Sequence, residues 1–287
     1  MRDRCPRFGA PEQIGTVESS AIDEASGIVA SRRRPGVFWV HNDSGDSARL
    51  FALSSKGRSL ATYEVLGAEA RDWEDLDIGM GPIRHLDYLY VGDIGDNQRR
   101  FDTVVVYRVP EPEVDPNVEV KAGVTAVAEA FRLRYPDGPH DAEALLVDPR
   151  TGALLIATKE REGPTQVFQA DVRQPGPKPV GLRRIAELSL PASPLPGGRL
   201  VTAGTLSRDG RWVLLKTYVS AYLWDRGDGT LADAFQREPC RVPVALEPQG
   251  EAAAFVGDRL DYVTLSEGKR QPLYVFSELA ADDSTDH

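Results

Sequence analysis

A motif that recurs five times limits the folds that this chain can adopt. Each copy begins with polar or acidic residues and runs into small and apolar ones. The copies are, in order, EASGIVAS from Glu24, DWEDLDIG from Asp72, DAEALLVD from Asp141, VTAGTLSRDG from Val201 and QGEAAAFVGD from Gln249. Self-similarity of this kind indicates repeated supersecondary units, because each unit buries its apolar faces against its neighbours.

Each copy is followed by further short apolar segments that have the length and composition of β-strands. The second segments are VFWVHND, YLYVGD, ALLIATK, WVLLKTY and DYVTLSE. The third segments are ARLFALS, VVVYRVP, QVFQADV, SAYLWDR and PLYVFSE. A fourth, more variable segment follows in three units and is poorly marked before Pro243 in another. Four strands per unit predict an all-β, five-bladed β-propeller, with six blades as the alternative.

The fifth unit has no fourth segment, because the sequence ends in LAADDSTDH. Since an unpaired edge strand invites aggregation, we expect the N-terminal EQIGTVE to complete the last blade and close the ring. We predict one propeller domain over residues 8–279 and a disordered acidic tail over 280–287. The Pro-rich segments PEPEVDPN and RQPGPKPVG are interpreted as loops of the longer second and third units.

The composition narrows the classes of partner. A net charge of −10 repels phosphate backbones, so we predict no nucleic-acid partner. No run of about 18 apolar residues is present, so we predict no membrane span, and we expect a monomer. Cys5 and Cys240 either form one disulfide or are two independent thiols, and the spacing leaves both readings open. The possible disulfide and the lack of cytosolic cofactor motifs favour a secreted or periplasmic location, although the first residues lack an apolar signal segment.

The propeller hypothesis brings distant residues together at one mouth of a central channel. The first strand of each blade lines the channel, so one residue near its start occupies an equivalent position in every blade, here called a slot. The predicted slots are Ser26, Glu74, Glu143, Gly204 and Glu251. The second strands end in a polar ring on the same face: Asn42, Asp93, Thr158, Thr217 and Ser266.

Three glutamates on one axis repel one another and raise each other's pKa unless a cation is present. Oxygen ligands without Cys or His suit calcium better than zinc. We therefore predict one calcium ion in the channel, held by Glu74, Glu143, Glu251 and Ser26. The alternative is a hydrated channel without an ion. Asp72, Asp75 and Asp141 are interpreted as loop acids or strand-start caps.

The slot pattern Ser, Glu, Glu, small residue, Glu resembles that of the calcium-dependent apyrases. That resemblance implies a five-bladed propeller with one calcium ion in the channel and hydrolysis of nucleoside di- and triphosphates. The fourth slot of that family holds Ser, whereas Gly204 stands here. Almost the whole chain also resembles a bacterial propeller family without an assigned activity. That resemblance rests on ASGIVASRRRPGVFWVHNDSGD, DWEDLDIG, YVGDIGDN, VYRVPEP, YPDGPHDAEALLVDPRTG and EPQGEAAAF…YVTLSEG.

The residues on this face allow two readings of function. His140 and His41 are candidate general bases for water activated by the metal. The candidate substrate-binding residues are Asn42, Asp43, Asp93, Asn97, Lys159, Lys216 and Tyr218. No G-x-S-x-G, C-x-x-C, G-x-G-x-x-G or Walker motif is present. The sequence therefore favours a calcium-dependent hydrolase of phosphate esters, anhydrides or lactones. The alternative is a binding module in which a structural calcium supports recognition of a glycan, peptide or protein. A scaffold without metal is the third reading.

Overall fold

A computed structural model describes residues 5–115, 121–172, 174–191 and 195–280. It contains five small antiparallel-based sheets arranged in a ring, and the single helix of the described residues is α1 (Leu231–Phe235). The predicted all-β, five-bladed propeller is confirmed. Most of the predicted acidic tail lies outside the described residues. No helix within the described part of the chain has the length and apolarity needed to cross a membrane.

The strands are assigned to five blades, I to V, in chain order. Blade I contains β2 (Ala25–Ala30), β3 (Val37–Asn42), β4 (Arg49–Ser54), β5 (Ser59–Glu64) and β9 (Lys121–Val124). Blade II contains β6 (Trp73–Met80), β7 (Asp87–Asp93), β8 (Val104–Pro110), β10 (Glu129–Arg134) and β14 (Val180–Gly181). Blade III contains β11 (Ala142–Val147), β12 (Leu154–Thr158), β13 (Thr165–Ala170) and β15 (Arg183–Leu188). Blade IV contains β16 (Val201–Leu206), β17 (Trp212–Thr217), β18 (Ala221–Asp225) and β19 (Cys240–Val242). Blade V contains β20 (Gly250–Phe255), β21 (Tyr262–Ser266), β22 (Pro272–Phe276) and β1 (Glu12–Thr16).

The ring closes in the manner expected from the sequence. The N-terminal strand β1 pairs antiparallel with β22, with Gln13 opposite Tyr274. The innermost strands β2, β6, β11, β16 and β20 each contact the next one around the axis. A disulfide joins Cys5 to Cys240 in β19, which decides between the two readings of the cysteines. The start of the chain is thus fastened both to blade V and to blade IV.

Two blades carry an additional strand that the sequence did not predict. The connection from β8 to β10, which contains PEPEVDPN, places β9 parallel to β5 of blade I. The connection from β13 to β15, which contains RQPGPKPVG, places β14 parallel to β10 of blade II. The loop interpretation of these segments was therefore incomplete. Each connection reaches back to the preceding blade, and Glu111 accepts a hydrogen bond of 2.9 Å from the Trp39 indole there.

Each blade packs between two neighbouring blades, so apolar side chains cover both of its faces. Trp73 is only 1% exposed and belongs to the cluster between blades I and II. Every residue of β11, β16 and β20 is buried.

Asp75, interpreted from the sequence as a loop or strand-edge acid, is fully buried in the channel. Its Oδ2 accepts hydrogen bonds from Leu145 N at 2.9 Å and Gly204 N at 3.3 Å. It thus joins the inner strands of blades II, III and IV across the axis.

Candidate metal centre at one mouth of the central channel

The same backbone irregularity presents one side chain from each blade to the channel mouth. Every innermost strand has a β-bulge near its start, where the pairing register with the second strand shifts. A bulge inserts an unpaired residue and redirects its side chain. The bulged residues are Ser26, Glu74, Glu143, Thr202 and Glu251. Four predicted slots are therefore placed correctly, and Thr202 takes the position expected for Gly204.

The two hydroxyl residues of this set bond to the following blade. Ser26 Oγ donates to Glu74 O at 2.5 Å, and Thr202 Oγ1 donates to Gly250 O at 3.0 Å. Both hydroxyls therefore help to hold adjacent inner strands together. Ser26 retains oxygen lone pairs, so its predicted role as a ligand stays a prediction.

The three slot glutamates belong to a continuous arc of carboxylates. Within each of three overlapping groups, one oxygen per residue lies within 4.8 Å of the others. The groups are Glu74 with Asp141 and Glu143, Glu74 with Asp43 and Asp72, and Asp43 with Glu251 and Glu267. The glutamates of the slots are buried, whereas Asp43, Asp72 and Glu267 are half-buried. The arc therefore has a buried floor and a side that faces solvent.

A lysine reaches into this arc from blade III. The Lys159 ammonium forms an ion pair with Glu143 and lies 3.9 Å from Glu251 Oε1. It also donates to Tyr218 OH at 2.9 Å, and Tyr218 OH in turn donates to Glu251 Oε1 at 2.5 Å. One positive charge thus offsets part of the negative charge at the mouth.

The remaining charge strongly perturbs the carboxyl groups. Burial raises the pKa of Glu74 well above its usual range, and Glu143 and Asp43 add to this shift. Burial also raises the pKa of Glu143, although the Lys159 ammonium opposes the shift. Burial raises the pKa of Asp43 to about 6. Burial and a hydrogen bond to Glu251 raise the pKa of Glu267 to about 9. Protons or a further cation are needed to relieve this repulsion.

Glu143 also carries a buried oxygen without a partner. Its Oε1 meets Lys159, but its Oε2 has no hydrogen-bond partner among the described residues. The side chain is only 3% exposed, so bulk water does not solvate it freely. Leaving a charged acceptor buried and unpaired costs free energy. The oxygen belongs to Glu143, which forms a group of neighbouring carboxylates with Glu74 and Asp141. The arrangement fits a hard cation bound by oxygen ligands.

The polar ring at the ends of the second strands fastens loops. Asn42 Nδ2 donates to Ala21 O at 2.8 Å, and Thr217 Oγ1 donates to Ser220 O at 3.1 Å. The other three members accept backbone N–H groups at 2.8 to 3.0 Å: Asp93 from Asp72, Thr158 from Gln166 and Ser266 from Gln249. Asn42 and Asp93 are both nearly fully buried. Their predicted substrate contact stays untested, but their observed partners are loops that surround the mouth.

The residue that follows each member of this ring reaches the site in four blades. These residues are Asp43, Lys159, Tyr218 and Glu267, and Ile94 is the exception in blade II. Sequence reasoning missed Glu267, although it directly follows Ser266 as Asp43 follows Asn42. Asp72 and Asp141, interpreted as loop acids, belong to the carboxylate groups. They share a signal too, because each stands two residues before a slot glutamate.

The two candidate histidines are both buried, in different surroundings. His41 is fully buried and packs edge-on against Trp73, and burial lowers its pKa to about 4. His140 Nε2 lies 3.0 Å from Asp137 Oδ1, and its Nδ1 lies 3.2 Å from Glu160 Oε1. Both nitrogens of His140 are therefore engaged by carboxylates. The catalytic assignments stay predictions, and the observed surroundings suit supporting roles.

Two predicted substrate-binding residues lie away from the carboxylate arc. Lys216 is fully buried; its Nζ donates to Gly250 O at 2.5 Å and lies 3.4 Å from Glu247 Oε2. Asn97 is exposed on the loop after β7, where its side-chain oxygen is 3.4 Å from Arg161 Nη2. Lys216 therefore links blades IV and V inside the protein, and a ligand at the mouth would not reach it in this conformation.

The raised pKa values predict an unusual pH dependence for the metal-free protein. The folded state binds protons at Asp43 and Asp93, each with a pKa of about 6, and at Asp77, with a pKa of about 7, more tightly than the unfolded chain does. The stability that these three groups contribute is therefore fully present below about pH 4 and is lost as the pH rises to about 7. We expect the Tm to fall by about 5 to 10 °C over that range. Calorimetry in EDTA measures it, Asp43→Asn should reduce the fall, and a Tm that rises steadily would contradict the prediction.

Comparisons with known proteins add little to the site. No protein-family model matches the chain, and no curated protein matches it. Among solved structures, Raptor from Chaetomium thermophilum matches 96% of this chain with a TM-score of 0.48 and 13% identity. The match covers 30% of the Raptor chain. At this level of similarity the match carries no argument about function.

Proposed function

We propose that this chain binds a calcium ion at the carboxylate arc and uses it to hydrolyse a phosphate ester, phosphate anhydride or lactone. The observation that carries the proposal is the unpartnered Oε2 of Glu143, which belongs to the group of carboxylates that also contains Glu74 and Asp141. Glu74 and Glu251 would complete the floor, with Ser26 as a neutral ligand. Ligands that come from several blades and are mostly carboxylates suit the flexible coordination of calcium better than that of magnesium.

The half-buried side of the arc would take part in the reaction. A bound calcium ion would polarise a substrate oxygen and lower the pKa of a water molecule. Asp43 belongs to two of the three groups of carboxylates and is partly exposed to solvent. It is therefore better placed than either histidine to accept a proton. Arg71, Arg99 and Arg161 lie on the surrounding loops and would attract an anionic substrate.

The second candidate is a binding module in which calcium has a structural role. It is favoured by the histidines, because His41 is buried and both nitrogens of His140 are engaged. In that case the ion would join blades I, II, III and V, and the loops would recognise a glycan, peptide or protein.

One set of measurements separates these functions. Protein stripped with EDTA is titrated with calcium and with magnesium in a calorimeter, and its Tm is recorded. It is then assayed on nitrophenyl phosphate mono- and diesters, ATP, ADP and a δ-lactone. Calcium binding with turnover that EDTA abolishes supports the hydrolase. Calcium binding with a raised Tm and no turnover supports the binding module, and the lack of calcium binding contradicts both.

Lys159 gives a prediction of the opposite sign to the loss of a ligand. Its ammonium group stands between Glu143 and Glu251, where it competes with a divalent cation for the same oxygens. We expect Lys159→Met to raise calcium affinity about tenfold, which equals about 1.4 kcal/mol. Calorimetric titration measures this, with Arg161→Met as the control because Arg161 is exposed on the same loop. Weaker binding by Lys159→Met, or equal effects of both variants, would exclude competition by the ammonium.

A further inference from the structure

A separate cavity of about 180 Å³ lies at the other end of the channel. Its apolar walls come from the ends of four innermost strands, at Val29, Ile78, Leu206 and Phe255. The bulged slots lie at the beginnings of the same strands. Asp75 fills the axis between the two ends through its bonds to Leu145 and Gly204. The cavity is therefore distinct from the carboxylate arc.

Four charged residues line this cavity: Arg32, Asp77, Arg208 and Asp258. Arg32 and Arg208 come from the turns that follow β2 and β16. Arg208 Nη1 lies 2.9 Å from Asp258 Oδ1, whereas Arg32 has no ion pair within the described parts of the chain. A guanidinium group with open donors is suited to a carboxylate or phosphate.

The inner polar group is Asp77, which is only 3% exposed. Its Oδ1 accepts from Ile78 N at 2.8 Å and its Oδ2 accepts from Val147 N at 2.6 Å. These bonds fix the carboxyl group and leave further lone pairs for a donor. The charge of Arg32 acts on Asp77, but no ion pair joins them. The two groups therefore interact without direct contact.

The size and lining together define a ligand class. The cavity has room for on the order of six water molecules, so a ligand has few heavy atoms. Pockets with apolar walls and a few fixed polar groups bind small molecules, and the polar groups set the orientation. A ligand that matches this lining has an anionic group for Arg32, a donor for Asp77 and an apolar side chain for the walls.

We propose that this cavity binds a small organic acid that carries an amino or hydroxyl group beside its carboxylate and a short apolar side chain. The carboxylate meets Arg32, the amino or hydroxyl group donates to Asp77, and the side chain packs against Val29, Leu206 and Phe255. The inference is independent of calcium binding, because no residue of the arc lines the cavity.

Four probes dissect the recognition. Leucine and 2-hydroxy-4-methylpentanoate carry both polar groups, 4-methylpentanoate lacks the donor, and 3-methylbutylamine lacks the carboxylate. Calorimetry on the full chain should show binding of at least one of the complete probes, with each incomplete probe at least tenfold weaker. Arg32→Met should weaken the best complete probe at least tenfold. Arg33→Met is the matched control, because the neighbouring Arg33 does not line the cavity.

A second variant tests the cavity itself. Val256 is half-buried in the wall, so Val256→Phe should fill the space and block the best probe while the Tm stays within a few degrees of the wild type. The proposal is overturned if neither complete probe binds or if all four probes bind equally. It is also overturned if Arg32→Met and Arg33→Met weaken binding equally, or if Val256→Phe binds as the wild type does.

Discussion

Glu143→Gln is expected to lower calcium affinity about 100-fold, which equals about 2.7 kcal/mol, and to raise the Tm of the metal-free protein. The substitution replaces the carboxylate that carries the unpartnered oxygen with a neutral group of the same shape. Affinity falls because a charged ligand is lost. Metal-free stability rises because burial and the charge of Glu251 disfavour ionised Glu143 more than the ion pair with Lys159 favours it, so the pKa of Glu143 stays raised.

A fall in calcium affinity together with a rise in metal-free stability would identify Glu143 as a ligand whose charge destabilises the metal-free protein. Glu111→Gln is the matched control, because Glu111 is also a buried glutamate with one unpartnered oxygen but lies outside the arc. Calcium titration and calorimetry in EDTA are performed on both variants. If Glu143→Gln retains wild-type affinity, or loses affinity no more than Glu111→Gln does, the assignment of Glu143 as a ligand is wrong.

Lys216→Met is expected to destabilise the protein by about 3 to 5 kcal/mol, since removing one member of a buried ion pair leaves the other charge uncompensated. Lys216 and Glu247 have side chains that are 0% and 1% exposed, and their charged atoms lie 3.4 Å apart. Glu247 Oε2 has no hydrogen-bond partner among the described residues, so Lys216 is the group that compensates its charge. Burial lowers the pKa of Lys216, and the Glu247 carboxylate opposes that shift.

A double-mutant cycle isolates the pair from its surroundings. Adding Glu247→Leu to Lys216→Met should recover most of the lost stability, because no charge is left buried. Lys269→Met is the control, since Lys269 is 64% exposed and its pairing with Asp23 at 3.5 Å contributes little. Chemical denaturation measures all the variants. A loss below about 1 kcal/mol for Lys216→Met, or no recovery in the double variant, would contradict this account.

The fold could be predicted from the sequence because every blade repeats the same short motifs. Each blade needs a polar start, a buried first strand and a polar residue where the second strand ends, and these features stand in the chain as short motifs. Glu74, Glu143 and Glu251 lie at the same mouth because they occupy equivalent positions in their blades, but no single group of carboxylates contains all three. The displaced fourth slot shows the limit of that reasoning. In VTAGTL both Thr202 and Gly204 satisfy the pattern, and the bulge that selects Thr202 depends on pairing with the next strand.

The parts that escaped prediction depend on where long side chains point. Lys159 directly follows the last residue of β12, and Lys216 directly precedes the last residue of β17. Lys159 reaches the arc, whereas Lys216 is buried between blades. His41 lies inside because its strand position faces Trp73. The added strands β9 and β14 form parallel pairs with preceding blades, and residues distant in sequence decide such pairing.

The link between Cys5 and Cys240 determines how the molecule would respond to a mechanical load. A pull applied on either side of the two cysteines passes from Cys5 directly to Cys240 and then through β19 of blade IV and the strands of blade V. The chain between the two cysteines, whose sequence separation is 235, stays outside that path. Blades I to III would therefore carry almost no tension while the cross-link is intact.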